Sequence, residues 1–255
     1  TIAWNDYRHL EAYYAIGGAG YVCHTINPRL FPEQIVFMIN HAEDKWLMID
    51  PLFIPLIEKI APQIPNVEGF IVMGDAKSAK NTSLDNVIAY EELIKNESEH
   101  YKWPLMDERT AMGLCYTSGT TGDPKGVLYN HRAMVLHAFA LIAPDAMNLS
   151  NLDCILPVVP LFHVNSWGSP YGAMMVGAKI VYPGPKMADG ETLYDLMEEE
   201  SVTVSLGVPT VWLVLLQYAA KNKKKLNSLK RTVIGGAAVP ESMIRDFRDN
   251  HDVFV

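Results

Sequence analysis

Short apolar runs alternate with stretches of helical spacing along most of this chain. Between Glu33 and Ala42, Ile35, Met38, Ile39 and Ala42 recur at helical spacing, and Pro32 suits a first helical turn. Trp46 to Ile49 reads as a strand, Leu52 to Ile60 as a helix and Phe70 to Met73 as a strand, with the polar stretch Asp75 to Asn86 as a surface loop. A strand at Met112 to Tyr116 runs into a loop rich in Gly and Thr, and a helix is expected from about His131 to Ala143. Strands follow at Cys154 to Val158, Lys179 to Tyr182, Thr203 to Leu206 and Arg231 to Ile234. Helices at Gly168 to Val176, Glu191 to Glu199, Val208 to Tyr218 and Glu241 to Arg248 alternate with them, and Asp252 to Val255 opens a further strand. Repeated strand–helix units predict the α/β class, with mostly parallel sheets covered by helices. In such folds ligands gather where loops leave the carboxyl ends of strands.

The 255 residues suffice for one large domain or two small ones, and 49% hydrophobic with 20% charged is ordinary for a globular protein. Lys plus Arg is 21 against 29 for Asp plus Glu, a net charge of −8, which argues against a nucleic-acid partner. The one basic cluster, Lys221 with Lys223, Lys224 and Lys225, is read as the solvated cover of a helix end rather than an anion site such as one for a CoA phosphate. Cys23, Cys115 and Cys154 are odd in number and widely spaced, which predicts no disulfide framework and a reducing, cytoplasmic setting. An uncharged stretch, Val202 to Ala220, is broken by Gly207, Pro209 and Thr210, so it predicts a buried strand and helix rather than an integral membrane segment.

The chemistry concentrates in Tyr116 to Val127, YTSGTTGDPKGV, after an apolar strand and before a helical run. Gly119, Gly122 and Gly126 permit close backbone approach. Thr117, Ser118, Thr120 and Thr121 set four hydroxyls beside backbone N–H groups, a donor array suited to anionic oxygens. Lys125 adds a charge able to reach a polyphosphate. The loop is not a Walker A motif, because Gly126 rather than Ser or Thr follows Lys125. No GxSxG, HExxH or paired Cys/His spacing is present, which disfavours a hydrolase or a zinc enzyme.

This loop resembles the signature of the adenylate-forming superfamily of acyl-CoA synthetases, luciferase-like enzymes and amino-acid adenylation domains. Three other segments resemble that family's motifs in the right order: Ala15 to Leu30 (AIGGAGYVCHTINPRL), Pro160 to Gly168 (PLFHVNSWG) and Gly235 to Pro240 (GGAAVP). The resemblance implies part of the large N-terminal domain, with residues 1–105 in a first α/β portion and 106–255 in a second. The small C-terminal lid, and a Tyr-Gly-x-Thr-Glu motif whose Glu completes a Mg²⁺ site, are expected beyond Val255.

Carried over residue by residue, Thr117, Ser118, Gly119, Thr120, Thr121, Gly122 and Lys125 would bind ATP phosphates, with the Thr117 hydroxyl on Mg²⁺. His163 would orient or polarise the carboxylate. Val164, Trp167, Gly235, Gly236 and Ala237 would border the acyl-adenylate, and His131 matches the family pattern without a role. A lone histidine between Phe162 and Val164, or a Trp beginning an element, would otherwise read as structural. The pattern HVNSW resembles the fatty-acyl branch. The implied reaction is fatty or other carboxylic acid plus ATP plus CoA to acyl-CoA, AMP and pyrophosphate, with a homodimer among the expected assemblies. The isolated chain is expected to be inactive. The alternatives are an aryl-acid or amino-acid adenylating member, or a non-catalytic nucleotide-binding fragment.

Overall fold

The computed structural model describes residues 1–117 and 124–255, which form two compact units. The first comprises 1–133 with 161–163. It opens with α1 (Tyr7–Gly18), started by Asp6, whose side chain accepts the His9 amide. Then come β1 (Cys23–Thr25), α2 (Pro32–His41), β2 (Trp46–Ile49), α3 (Ile54–Ile60), β3 (Gly69–Val72), α4 (Ala76–Lys80), β4 (Val87–Ala89), α5 (Tyr90–Ile94), β5 (Ala111–Thr117) and β6 (Lys125–Asn130). One sheet runs β2-β3-β4, all parallel. Ile35, Met38 and Ile39 of α2 and Ile54, Ile57 and Ile60 of α3 join Leu47, Ile49 and Val72 of that sheet in one core. A second sheet runs β1-β5-β6, in which β1 is parallel to β5 and β6 antiparallel to it.

Two expectations change here. Asp75 to Asn86 is not loop throughout, because Asp75 accepts the Ser78 amide and caps the short helix α4. The segment beyond Thr117 does not lead straight to a helix, because residues 125–130 first return along β5 as an antiparallel strand.

The second unit comprises 134–160 and 164–255. It contains most of α6 (His131–Ile142), then β7 (Cys154–Pro157), α7 (Ser169–Val176), β8 (Lys179–Ile180), α8 (Gly190–Glu199), β9 (Val204–Gly207), α9 (Pro209–Lys221), β10 (Arg231–Ile234) and α10 (Glu241–His251). Its four strands are parallel in the order β10-β9-β7-β8. The chain steps outward from β7 to β8, then crosses back to β9 on the other side of β7. Strand order therefore reverses at β7 and β9, and the carboxyl ends of those strands are where such a sheet offers a crevice. Ile155, Val204, Leu206 and Ala173 lie in its core with Leu141 of α6. Asp153 locks the amino edge: its carboxylate accepts from Thr203 Oγ1 at 2.7 Å and Arg231 at 2.8 Å. Lys224 of the basic cluster lies 4.3 Å over the Tyr194 ring and donates to the Tyr218 hydroxyl at 3.0 Å. Phe254 forms an isolated bridge to Arg231 where a further strand was expected. Among the described residues no helix is long and apolar enough to cross a membrane.

Candidate active site

In the first unit the two described flanks of the glycine–threonine loop are cross-strand partners: Thr117 ends β5 opposite Lys125, which begins β6. Both are exposed, so a hydroxyl and an ammonium stand opposite each other where β5 ends and β6 begins. The end of β5 is fixed one residue earlier, where the Tyr116 hydroxyl lies 2.6 Å from His41 Nδ1. Ser118, Gly119, Thr120, Thr121 and Gly122 lie outside the described residues.

His163 is also in the first unit and is exposed. Its neighbours are held firmly. The Leu161 amide donates to Asn5 Oδ1 at 2.7 Å, and the Leu161 carbonyl accepts from the Tyr13 hydroxyl of α1. The Phe162 ring lies 5.9 Å from that of Trp4. Asn5 and Tyr13 thus set the backbone that presents His163. Sequence reading missed both, because α1 buries His9, Ala12, Tyr13 and Gly17 instead of a stripe of large aliphatic residues.

In the second unit, the residues after His163 do something unusual. Val164, Asn165, Ser166 and Trp167 have φ of 49°, 49°, 50° and 55°, and Gly168 follows at 74°. A left-handed turn of L-residues costs on the order of 1–2 kcal/mol per residue, and for branched Val164 it is a clear outlier. Local contacts hold it. The Ser166 hydroxyl donates to the Val159 carbonyl at 2.8 Å, and the Ser169 hydroxyl donates to Ser166 Oγ at 3.2 Å. Asn165 and Ser166 are buried, whereas Val164 is 44% exposed, so the turn sends its polar side chains inward and its valine outward. Strain of this kind concentrates at functional sites.

The turn places Trp167 against the end of β10. A Cβ built on Gly235 would meet the indole at 3.0 Å, so residue 235 must stay small for the ring to lie there. Gly236 has φ of 79°, a left-handed conformation that suits glycine, and Ala237 beyond it is exposed. Gly207 has a structural duty instead: a Cβ there would sit 2.7 Å from the Trp212 ring, which is fully buried. Trp167, Gly235 and Gly236 are therefore grouped at the carboxyl ends of the parallel strands. Thr117 and Lys125 are grouped with each other, and His163 stands on its own anchored segment. A cavity of about 550 Å³ elsewhere in the first unit, lined by Ile16, Tyr21, Trp46, Met48, Ile71 and Leu114 among others, contains none of these residues.

A parallel α/β sheet thus reverses order beside a strained aromatic turn, in a chain that also pairs a threonine with a lysine at the end of β5 and the start of β6. The chain belongs to the AMP-binding enzyme family, whose model matches residues 1–253. It is 55% identical over 255 residues to the medium-chain-fatty-acid–CoA ligase of Ectopseudomonas oleovorans, covering all of this chain and 46% of that protein. It is 53% identical over 253 residues to the 3-methylmercaptopropionyl-CoA ligase of Ruegeria lacuscaerulensis, covering 99% of this chain and 47% of the relative. The chain thus spans about half the length of the curated relatives it matches. Among solved structures, a long-chain-fatty-acid-CoA ligase from Archaeoglobus fulgidus superposes with a TM-score of 0.83 at 21% identity, over 99% of this chain and 49% of that one, and an anthranilate CoA ligase with a TM-score of 0.84 at 20% identity, over 99% and 48%; both support the fold.

Proposed function

We propose that this chain is the ATP- and acid-binding portion of an AMP-forming acyl-CoA ligase acting on an aliphatic carboxylic acid. The observation that carries the reading is the left-handed turn that lays Trp167 on Gly235 at the carboxyl ends of the parallel strands. An indole held by backbone strain beside a side-chain-free strand end borders an apolar tail better than it does a charged amino-acid group. The two relatives above are named for a fatty acid and for a short thioether acid, and both acids are carboxylates on flexible apolar chains.

In the proposed chemistry a carboxylate oxygen attacks the α-phosphorus of ATP and pyrophosphate leaves, giving the acyl-adenylate. The CoA thiolate then attacks the acyl carbon and AMP leaves. Lys125 neutralises charge on phosphate oxygens, and His163 orients the carboxylate. Among the described residues no three His, Cys, Asp or Glu side chains gather as a metal site, so the neutral Thr117 hydroxyl fits Mg²⁺ only as one ligand in a sphere of phosphate and water. Mg²⁺ so bound would neutralise polyphosphate charge. Three buried, free cysteines suit the reducing cytoplasm we propose as its location.

The test is ATP–pyrophosphate exchange and acyl-CoA formation by the full-length protein with a panel of aliphatic, aryl and amino acids. Turnover led by aliphatic acids supports the reading. Exchange driven best by an aryl or amino acid replaces it with another adenylating specificity, and ATP binding without turnover on any acid overturns it.

A further inference from the structure

The strain in the 164–168 turn raises the question of what keeps it. The contacts already described hold Ser166, whereas the Trp167 backbone is held from outside the turn. His137 Nε2 of α6 lies 3.1 Å from the Trp167 carbonyl oxygen and donates to it, since a carbonyl can only accept. The same imidazole fills the space above the next residue. A Cβ on Gly168 would come within 2.4 Å of the His137 ring, so ring and turn are closely fitted. His137 therefore touches both the carbonyl of the residue whose indole lies on Gly235 and the glycine that ends the left-handed run. The α6 helix that carries it is anchored in the same unit's core through Met134, Ala138 and Leu141, all buried. The imidazole itself is exposed, so its own burial contributes little to the core.

We propose that His137 is a positioning residue for the acid pocket: it acts as a strut from α6 that holds Trp167 in its left-handed conformation and so sets the indole against Gly235. This rests on the reading of the Trp167 loop as the acid-binding element. The strut acts on the acid alone. Thr117 and Lys125 belong to the first unit and His137 with Trp167 to the second, and on this proposal substitution of His137 should separate the acid and ATP parameters.

The experiment compares His137→Ala, His137→Phe and His137→Gln with the parent, all as full-length protein. His137→Phe keeps a ring without a donor, and His137→Gln keeps a donor. In His137→Ala and His137→Phe the KM for the preferred acid should rise about tenfold, with the KM for ATP within about twofold of the parent, and His137→Gln should recover part of the loss. Amide hydrogen exchange across residues 165–169 should accelerate at least about tenfold in His137→Ala, with the β7 and β9 amides unchanged. Acid KM and loop exchange that both match the parent would overturn the proposal, as would an equal loss in the acid and ATP parameters with no rescue by Gln. If His137→Ala does not fold, the Phe and Gln variants decide by the same criteria. A parent inert with every acid sinks the ligase reading alone, and the 165–169 exchange rates then still decide whether His137 is a strut.

Discussion

The Trp167 indole occupies the space where a side chain at position 235 would begin, 3.0 Å from an ideal Cβ on Gly235. A methyl group there forces a rigid ring to give by a few tenths of an ångström, and a larger group forces it out. Gly235→Ala in the full-length protein should raise the KM for the preferred acid about three- to tenfold and shift preference along an acid chain-length series, with the KM for ATP unchanged. Gly235→Val should do so more strongly. Steady-state kinetics over that series is the check, and a profile identical to the parent's would mean that the indole does not border the acid.

His163 owes its placement to a residue far away in sequence. The Tyr13 hydroxyl donates to the buried Leu161 carbonyl, two residues before it. Tyr13→Phe keeps the ring and removes the donor, which leaves that carbonyl unsatisfied at a cost of about 1–3 kcal/mol. The expected outcome is a lower midpoint in thermal unfolding together with a fall in kcat/KM for the acid. A variant with full activity and a lower midpoint would assign Tyr13 to stability only.

Lys125 stands exposed at the start of β6, opposite Thr117. Replacing an exposed strand-end lysine should change stability by less than about 0.5 kcal/mol. Removing a charge aimed at a developing phosphate charge should cost about a hundredfold in ATP–pyrophosphate exchange. Lys125→Met measured by both assays separates the two effects, and an active, stable variant would remove Lys125 from the chemistry.

The second unit was readable in the sequence because each element there is carried by its own apolar period. Arg231–Ile234 was expected and found at the same bounds, and the helix expected at Val208 to Tyr218 is α9, opened by Pro209. The first unit was less readable for reasons its residues show. The inner stripe of α1 is His9, Ala12, Tyr13 and Gly17, whose volumes suit close approach but whose polarity hides the helical period. Strand β6, KGVLYN, is mostly exposed, so it lacks the alternation of a half-buried strand. The chemistry-bearing residues were legible as motifs, but their supports were not. Nothing local marks Asn5, Tyr13 or His137, because each acts through a backbone atom of a distant segment that only the fold brings near. The left-handed run at 164–168 was equally hidden, since only its last residue is a glycine.

A buried histidine gives the protein a predictable acid limit. His9 is fully buried; its Nδ1–H donates to the Trp4 carbonyl at 3.0 Å, which leaves Nε2 to accept from the Thr1 hydroxyl at 2.8 Å. Protonation would put a charge in that dry site and turn the acceptor into a donor. Burial above all pushes its pKa down from 6.5 to about 3. The unfolded chain regains the ordinary value, so above pH 6.5 neither state carries the extra proton and the full stability is present. As pH falls below that value the unfolded state takes up a proton that the folded state refuses, and stability drops until the pH nears 3. One such group accounts for about 1.4 kcal/mol per pH unit well inside this window. Chemical unfolding of the full-length protein at pH 7.5 and pH 5.5 should show the loss, and His9→Gln, which does not titrate, should lose about 1 kcal/mol less over the same interval. Equal losses in parent and variant would show that His9 is protonated in the folded protein.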